Sequence, residues 1–475
     1  MNLKIFNTLK HSVEDFKPSD KHKVKLYTCG PTVYNNVHIG NLRSYINADV
    51  LKRALEFNGY AVDWVMNVTD VDDKTIARSH EKYPDLDPMG ALKKLTIEYG
   101  DLFLADMHAI GNDVDALTFV KAADDDTIEN MKQLITELHQ SGFAYIADDG
   151  VYFSIDAYKK SGKIYGQLAE VTESSTASER IQNDEYDKDS AHDFALWKIQ
   201  KSGEPAWDFE IDGHDLNGRP GWHIECSVMS HMKLGQPFDI HTGGIDLIFP
   251  HHENEIAQST ALSNDKTYAH TFVHNEHILV DGKKMSKSAH NFYTLADLKE
   301  KGVDALSFRL LVLQSHYRRP TNFSLDNAEA AHNRLHHWRN VAALRHQVSA
   351  DTSNDMDPSP AAVSAIREAV SDDLNTPEAL RIVDETFTFV ESRGLTTINR
   401  TTLVELLESI DDILGLQLMS TTPDISDEQK LLIQKRKDAR YAKDWVASDA
   451  LRDQLLSQGI IVRDETHGTV WEYAG

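Results

Sequence analysis

The first part of the chain combines short alternating segments with longer periodic ones, as expected for an α/β domain. Residues 24–28 alternate between polar and apolar like a strand, and Cys29-Gly30-Pro31-Thr32 interrupts them. Apolar residues then recur every three or four positions from Ile39 to Phe57, which predicts a helix that Gly59 ends. Residues 61–68 predict the next strand, so the order strand, glycine turn, helix, strand is typical of a parallel-sheet βαβ unit.

The pattern changes between about residues 120 and 215. Helical spacing at 127–138 gives way to short strands around 150–154 and to the polar stretch 173–178, which we interpret as a mobile loop. Strand patterns return at Phe238–His241 and Thr271–Val273. We therefore interpret the intervening region as an insertion that splits the sheet domain.

Helical patterns dominate the C-terminal half, and they predict its division. They cover residues 306–313, 328–347, 361–370, 377–390 and 403–414, with a linker at 349–359, and strands follow at 460–463 and 469–473. The predicted segments are 1–121, the first half of a Rossmann-type parallel-sheet catalytic domain; 122–214, a connective insertion; 215–292, the second half; 293–320, a contact region; 321–418, a helical bundle; and 419–475, a small mixed α/β domain.

Composition narrows the class of protein. A chain of 475 residues with 41% hydrophobic and 26% charged residues predicts a globular protein of about two to four domains. No run approaches the ~18 apolar residues of a membrane span, and residues 1–7 lack a secretory core. We therefore expect a cytoplasmic enzyme with no membrane partner. Two cysteines exclude a disulfide framework.

The charge distribution bears on nucleic-acid partners. The net charge of −26 argues against nonspecific binding to nucleic acid. Residues 430–452 depart from this, because seven positive and three negative side chains leave a local charge of +4. An exposed helix face and an RNA contact explain such a segment equally well. The positive residues are Lys430, Lys435, Arg436, Lys437, Arg440, Lys443 and Arg452.

A lysine loop follows the apolar run Ile278–Val280. Its sequence, Asp281-Gly282-Lys283-Lys284-Met285-Ser286-Lys287-Ser288, carries three ammonium groups after a glycine hinge. Such a loop suits a polyphosphate, because it can move onto ligand oxygens and neutralise the charge that develops there. A basic surface turn is the alternative.

The start of the first predicted helix offers a second anion-binding element. His38 lies where the backbone N–H groups of a helix are unsatisfied, so its ring and those groups can face an anion. Gly40 leaves room for a nucleotide, and Asn41 adds an amide donor. A purely structural histidine is the alternative.

Four residues form a candidate metal site. Cys29 ends the first strand, Cys226 lies in a Gly-Trp-His-Ile-Glu-Cys segment, and His251 and Glu255 are four residues apart on a helix that Pro250 predicts to begin. Two thiolates, an imidazole and a carboxylate suit zinc. Two buried core cysteines are the alternative, and three other histidines compete as ligands. These are His223, His241 and His252.

The motifs together resemble a known family. Val37–Asn41 and Lys284–Ser288 are similar to the HIGH and KMSKS signatures of class I aminoacyl-tRNA synthetases, with Asn41 in place of the final histidine. With Asn41, the group that stabilises the transition state at this position is a neutral amide, whereas a histidine could be cationic. CGPTVY, GWHIEC and GGxDLxFPHHENE narrow the resemblance to cysteinyl-tRNA synthetases over nearly the whole chain. The longer stretch 209–217 departs from that pattern.

The resemblance implies roles for individual residues. Cys29, Cys226, His251 and Glu255 would hold one Zn²⁺ per chain, which selects the substrate thiol. A site with four protein ligands is usually closed, so either the ion becomes five-coordinate or Glu255 binds weakly. The remaining roles are catalysis for His38, Asn41, Lys284 and Lys287; ATP binding for Gly40, Lys287 and Asp246, the last holding the ribose or the substrate amine; and substrate binding for Thr69 and Trp222.

The resemblance also implies the reaction and the partners. L-Cysteine would react with ATP and Mg²⁺ to give cysteinyl-adenylate and pyrophosphate, and the cysteinyl group would pass to the 3′ end of tRNA(Cys). Residues 293–320 would contact the tRNA stem, 321–418 would bind tRNA, and 419–475 would bind the anticodon; we expect a monomer. The alternatives are a cysteine:amino-sugar ligase of the mycothiol type, a non-catalytic tRNA-binding paralogue and a plain adenylyltransferase.

Overall fold

A computed structural model describes residues 3–169, 192–264, 266–285, 291–348, 357–393, 395, 398–465 and 468–474. The predicted loop at 173–178, most of the predicted linker and Lys287 lie outside the described residues. The chain forms two compact units. The sheet unit comprises residues 2–297 and 317–321, and the helical unit comprises residues 298–316 and 322–475.

Strands and helices are interspersed through the sheet unit, and helices dominate the rest of the chain. The strands are β1 (Lys4–Asn7), β2 (Ser12–Asp15), β3 (Lys23–Thr28), β4 (Ala61–Val68), β5 (Leu117–Lys121), β6 (Ala144–Ala147), β7 (Gly150–Phe153), β8 (Phe194–Ile199), β9 (Glu210–Ile211), β10 (His214–Asp215), β11 (Gly218–Pro220), β12 (Phe238–Gly244), β13 (Ala269–Asn275), β14 (Ile278–Val280), β15 (Lys283–Lys284), β16 (Thr321–Phe323), β17 (Ile460–Glu465) and β18 (Gly468–Tyr473). The helices are α1 (Ile39–Phe57), α2 (Asp73–Lys82), α3 (Pro88–Ala109), α4 (Asp125–Gln140), α5 (Ile155–Lys160), α6 (Trp222–Leu234), α7 (Glu253–Thr260), α8 (Leu295–Glu300), α9 (Ala305–Leu313), α10 (Leu325–Ala343), α11 (Ser359–Ser371), α12 (Thr376–Arg393), α13 (Arg400–Leu414), α14 (Asp427–Tyr441) and α15 (Trp445–Ser457).

A five-stranded sheet organises the sheet unit. Its strand order is β13-β12-β3-β4-β5, and every neighbouring pair is parallel. The chain runs outward from β3 in one direction and, after the insertion, outward from β12 in the other. The carboxyl ends of β3 and β12 therefore form the switch point where such sheets bind ligands. The predicted Rossmann-type α/β fold is confirmed.

The insertion has a sheet of its own. Strands β6, β7, β8 and β11 pair antiparallel in the order β11-β8-β7-β6. The longer stretch 209–217 forms a two-stranded hairpin, β9–β10, whose turn residues Asp212 and Gly213 have positive φ angles of 52° and 79°. The departure from the family pattern is thus a small surface hairpin.

The helical unit carries α9 to α15 and the β17–β18 hairpin. Its C-terminal part has a core of buried residues from α14, α15 and both strands, including Leu432, Leu455, Val462 and Trp471. Ala343 of α10 belongs to the same cluster, so this part packs on the bundle. None of the described helices is both long and apolar enough to cross a membrane.

The sequence pattern located many elements but not all. Helix α1 begins and ends as predicted, whereas β12 extends three residues beyond the predicted strand to Gly244. Helices α2, α3 and α6 and the β1–β2 hairpin were not predicted. Helix α6 lacks a clear apolar periodicity, because it is buried all around and several of its nine buried residues are polar.

Candidate active site and metal centre

A cleft of about 420 Å³ opens in the sheet unit along the carboxyl ends of β3 and β12. Seven of the predicted site residues line it. They are Cys29, His38, Gly40, Asn41, Trp222, Asp246 and Lys284. The two predicted anion-binding elements, far apart in sequence, therefore face one space.

His38 caps helix α1. The backbone of His38 is extended, so the helix begins at the next residue. Nδ1 of His38 accepts a hydrogen bond of 3.2 Å from the backbone N–H of Asn41. Because Nδ1 accepts, the proton of a neutral His38 ring lies on Nε2. The ring also packs edge-on against Phe292, with 4.8 Å between centroids. His38 is thus held as a donor at the positive end of a helix.

Neighbouring side chains leave no room for a side chain at Gly40. A methyl group at this position would lie 2.9 Å from atoms of the His38 ring and 3.0 Å from the Met285 side chain. Both separations are shorter than ordinary carbon contacts. The glycine therefore allows the lysine loop to approach the start of α1.

The described part of the lysine loop is a tight hairpin. Strands β14 and β15 pair antiparallel, with Lys284 opposite Leu279, and the turn residues Asp281 and Gly282 have φ angles of 49° and 74°. The side chain of Lys284 is exposed and lines the cleft. Lys287 lies outside the described residues, so its role stays a prediction.

The four predicted metal ligands lie together. One donor atom from each of Cys29, Cys226, His251 and Glu255 falls within 4.8 Å of the other three, and all four residues are buried. We call this set the metal tetrad. Phe249 is extended, so the helical run that presents His251 and Glu255 resumes at Pro250, as predicted.

The spacing of the metal tetrad fits zinc. The two sulfurs are 4.0 Å apart, Cys29 Sγ lies 3.9 Å from Glu255 Oε1, and His251 Nε2 lies 2.9 Å from the same oxygen. Bonds of about 2.0–2.3 Å in a tetrahedron put ligand atoms roughly 3.3–3.8 Å apart. Small side-chain adjustments bring the donors to those separations.

An alternative tetrad shares two of these residues. Cys29, His241, His252 and Glu255 also bring four donor atoms within 4.8 Å. The metal tetrad offers two thiolates where the alternative tetrad offers one, and soft ligands favour zinc. His252 contacts Cys29 Sγ at 3.3 Å, while its Nδ1 is bonded to His274 at 2.8 Å.

The surrounding side chains orient the metal tetrad. His223 bonds Nδ1 of His251 at 2.8 Å, which leaves Nε2 directed at Glu255. Glu255 Oε2 accepts bonds from His241 at 2.6 Å and Tyr268 at 3.1 Å. Of the competing histidines, His223 therefore lies behind a ligand. Such outer partners fix the orientation and tautomer of metal ligands.

Ionisation in this pocket is strongly perturbed. Burial alone would raise the pKa of Glu255, but the adjacent His241 and His251 outweigh it and hold that pKa well below its usual value. Burial opposes the protonation of His251, yet Glu255 and Cys226 raise its pKa to about 10. A metal ion that binds here must displace the His251 proton.

The three remaining predicted residues occupy different positions. Trp222 lines the cleft and stacks on the His251 ring, with 4.0 Å between centroids. Asp246 is an exposed cleft residue in the short helical turn Ile245–Leu247 that follows β12. Thr69 is only 1% exposed, does not line the cleft, and donates its hydroxyl to Glu225 at 2.7 Å. Thr69 therefore lies behind the wall of the cleft, not on its surface.

Sequence reasoning missed several residues of the site. Lys74 lines the cleft and is exposed, and Tyr268 and His274 support the ligands. Lys74 ends the acidic cluster after β4, which was a usable signal. Tyr268 comes just before β13 and His274 directly follows the predicted strand at Thr271–Val273, but neither lies in a motif that pointed to the site. A larger cavity, of about 750 Å³ beside β1, β2 and β13, contains none of the predicted residues.

Comparison with known proteins decides the family. A sequence model described as the tRNA synthetases class I (C) catalytic domain matches residues 15–333, and one described as the cysteinyl-tRNA ligase anticodon binding domain matches residues 422–471. The chain belongs to the cysteine–tRNA ligase family. The predicted family and the prediction of an aminoacyl-tRNA ligase are confirmed.

Relatives of this family match along the whole chain. Those named cysteine–tRNA ligase include proteins from Leptospira interrogans, 37% identical over 99% of both chains, and from Chlamydia muridarum, 40% identical over 98% of this chain and 99% of the relative. The relative from Solibacter usitatus is 39% identical over 99% of this chain and all of its own length.

Solved structures share the fold at low identity. LeuRS from Agrobacterium radiobacter K84, in a ternary complex with tRNA and LeuAMS, has a TM-score of 0.63 at 12% identity and covers 96% of this chain and 91% of its own. Methionyl-tRNA synthetase from Mycobacterium tuberculosis, bound by methionyl-adenylate, has a TM-score of 0.61 at 14% identity, over 84% and 93%. These likenesses show the class I fold.

Proposed function

We propose that this chain activates L-cysteine with ATP to form cysteinyl-adenylate and pyrophosphate, and then transfers the cysteinyl group to the 3′ end of tRNA(Cys). The observation that carries the proposal is that both anion-binding elements line one cleft and that Cys29, a member of the buried metal tetrad, lines the same cleft. Membership of the family supports the ligase reaction, and the ligand atoms of the metal tetrad support cysteine as the amino acid.

The first step needs positioning and charge neutralisation. The cysteine carboxylate attacks the α-phosphorus of ATP, and pyrophosphate leaves on the opposite side with Mg²⁺. His38 and Asn41, at the amino end of α1, face the phosphates, and Gly40 admits them. Lys284 and Lys287 approach from the lysine loop and neutralise the charge that develops on pyrophosphate.

The choice of cysteine over serine is a chemical problem, because a sulfur and an oxygen differ too little for an apolar pocket to separate. Bound in the metal tetrad, Zn²⁺ would supply affinity for the substrate thiolate that a hydroxyl cannot match. Glu255 already accepts hydrogen bonds from His241 and Tyr268, which supports a weak bond to the ion and an accessible position for substrate. Trp222 closes the pocket beside His251.

The C-terminal part of the helical unit offers a surface for tRNA, although pairing reduces its predicted charge. Arg436 and Arg440 both bind Asp464, at 2.8 and 3.0 Å. Lys430 and Arg452 also have acidic partners. Exposed cations remain at Lys435, Lys437 and Lys443.

Exposed aromatic side chains flank Lys443 in the chain, and Arg440 lies over the ring of Trp445 at 5.6 Å. Tyr441 and Trp445, at the turn between α14 and α15, are 94% and 55% exposed. Lysines beside exposed aromatic rings are what phosphates and unstacked bases bind. This surface supports anticodon binding by residues 419–475.

An amino-sugar acceptor is the nearest rival. A small acceptor does not need an anticodon domain, and residues 422–471 match one. A catalytically silent paralogue is disfavoured by the assembled cleft.

Cysteine-dependent ATP–pyrophosphate exchange, followed by charging of tRNA(Cys), tests the proposal directly. We expect exchange with cysteine but not with serine, loss of exchange after zinc chelation, and its return on adding zinc. Lys284→Ala should slow exchange at least tenfold. Exchange with cysteine that survives chelation would contradict the zinc role. Exchange without charging of tRNA would favour the amino-sugar ligase, and no exchange at all would favour the silent paralogue.

A further inference from the structure

Arg43 is a fully buried arginine on the helix that begins at His38, and the mechanism above does not use it. Its exposure is 0%, and its guanidinium donates to the backbone carbonyls of His277, Tyr317 and Arg319. The bonds to Tyr317 and Arg319 measure 3.2 and 2.5 Å. All four residues belong to the sheet unit.

His277 is the residue directly before β14, so the hydrogen bond from Arg43 fixes the start of the strand that leads into the lysine loop. The His277 carbonyl also accepts the N–H of Thr321, and the Tyr317 carbonyl accepts the N–H of Glu276 at 2.9 Å. Arg43 thus joins α1 to two backbone segments that are bonded to each other.

The segment that follows the lysine loop is held by the same helix. The N–H of Ile39 donates to the carbonyl of Tyr293 at 2.9 Å, and His38 forms a β-bridge with Thr294. Both ends of the loop are therefore fixed to the first turns of α1. Between them, Asp281 and Gly282 have positive φ angles and form the turn of the β14–β15 hairpin.

Stability alone does not explain a buried guanidinium here. The three observed acceptors are neutral carbonyls, and Nε of Arg43 has no partner among the described residues; burial lowers the pKa of Arg43 to about 10 although the charge of Glu276 favours the guanidinium. A buried charge costs several kcal/mol unless it is well compensated, and an apolar side chain of similar volume is often as stable. What a methionine cannot do is bond several carbonyls at once in a fixed plane.

We propose that Arg43 is a positioning residue that holds the root of the lysine loop at a fixed distance from His38 and Asn41. With the root held in place, Lys284 lies in the same cleft as His38 and Asn41. This inference rests on the proposed function, which makes the lysine loop the element that contacts pyrophosphate.

The test uses Arg43→Met and Arg43→Lys in the full chain, with ATP and cysteine varied separately in pyrophosphate exchange. A misplacement of about 1 Å costs roughly a hundredfold in rate. We expect kcat/KM for ATP to fall about tenfold to a hundredfold in Arg43→Met, while KM for cysteine changes less than about threefold. Lysine keeps the charge but lacks the planar fork, so we expect an intermediate loss in Arg43→Lys.

Arg345→Met is the matched control. Arg345 is 5% exposed and, in the helical unit, also donates to backbone carbonyls, those of Ala342, Met419 and Thr422. The Arg345→Met variant should have a lower Tm than the wild type, and its pyrophosphate exchange should depend on ATP concentration as the wild type's does. If Arg43→Met lowers Tm alone, or weakens ATP and cysteine equally, the positioning role is wrong. If it does not fold, wild-type kinetics in Arg43→Lys would also refute the role.

Lys284→Ala separates this inference from the proposed function. If Lys284→Ala slows exchange and the Arg43 variants do not, only the positioning role fails. If Lys284→Ala leaves exchange unchanged, the role of the lysine loop has been misassigned and the positioning role of Arg43 falls with it, whereas the ligase function is refuted only if the wild type shows no cysteine-dependent exchange.

Discussion

Replacing Cys226 by serine tests which tetrad holds the metal ion. Cys29 and Glu255 belong to both sets of donors, whereas Cys226 belongs only to the metal tetrad and His252 only to the alternative tetrad. Cys226→Ser and His252→Gln therefore form a matched pair. Both positions are buried, and both side chains contact the same neighbour, Cys29.

The size of the effect follows from sharing the binding energy of zinc among four ligands. Structural zinc sites gain about 10–16 kcal/mol, so one ligand accounts for roughly 2.5–4 kcal/mol. Each 1.4 kcal/mol is about tenfold, so Cys226→Ser should weaken zinc by about two to three orders of magnitude. His252→Gln removes an outer contact, and such losses are at most about a hundredfold.

The measurement is zinc affinity by competition with a chelator, together with KM for cysteine and for ATP in pyrophosphate exchange. We expect Cys226→Ser to raise KM for cysteine far more than KM for ATP. The reasoning fails if His252→Gln loses more zinc than Cys226→Ser. It also fails if the two KM values rise equally in Cys226→Ser, because the ion would then be structural.

Three further predictions address the lysine loop, the start of α1 and the helical unit. Lys287→Ala should slow cysteine-dependent exchange by about two or more orders of magnitude while tRNA binding is retained; unchanged exchange would refute its assignment. Gly40→Ala should lower kcat/KM for ATP by about tenfold to a hundredfold, because the added methyl would displace His38 or Met285; wild-type kinetics would refute the need for space. Asp464→Asn should destabilise the helical unit by about 1 kcal/mol at pH 7, because Arg436 holds the pKa of Asp464 below its usual value. A lowered pKa stabilises the fold above pH 3.8 and stops doing so as pH falls further, so the Tm difference between Asp464→Asn and wild type should disappear in strong acid. A Tm difference that grows in acid would contradict this.

Local signals in the sequence predicted the fold, whereas most of the candidate site was assigned through the resemblance to a known family. Helix α1 has clear periodicity and an ending glycine, and β3 ends at a glycine turn. Spacing alone, however, left three histidines in competition as ligands. Tertiary packing places His223 against His251, whereas the ring of His252 contacts Cys29 with one nitrogen and His274 with the other.

The charge of the C-terminal segment was overestimated for the same reason. A count between residues 430 and 452 could not include Asp464, which reaches Arg436 and Arg440 only because β17 packs back against α14. The count also treated every cation as available. Exposed aromatic rings at the α14–α15 turn were equally invisible, because helical spacing does not tell a buried tyrosine from an exposed one.

The ligands of the metal tetrad come from both halves of the split sheet domain, so the site forms only when the two halves have paired. Cys29 follows β3 in the first half of the split domain, whereas Cys226, His251 and Glu255 all follow the insertion. Strands β3 and β12 are neighbours, so pairing of the two halves creates the cleft and the metal tetrad in one event. Neither half holds the whole site alone: the first contributes one of the four ligands, and the second lacks that thiolate and the start of α1. Under the proposed function, amino-acid selection and ATP activation would therefore both require the pairing of β3 with β12.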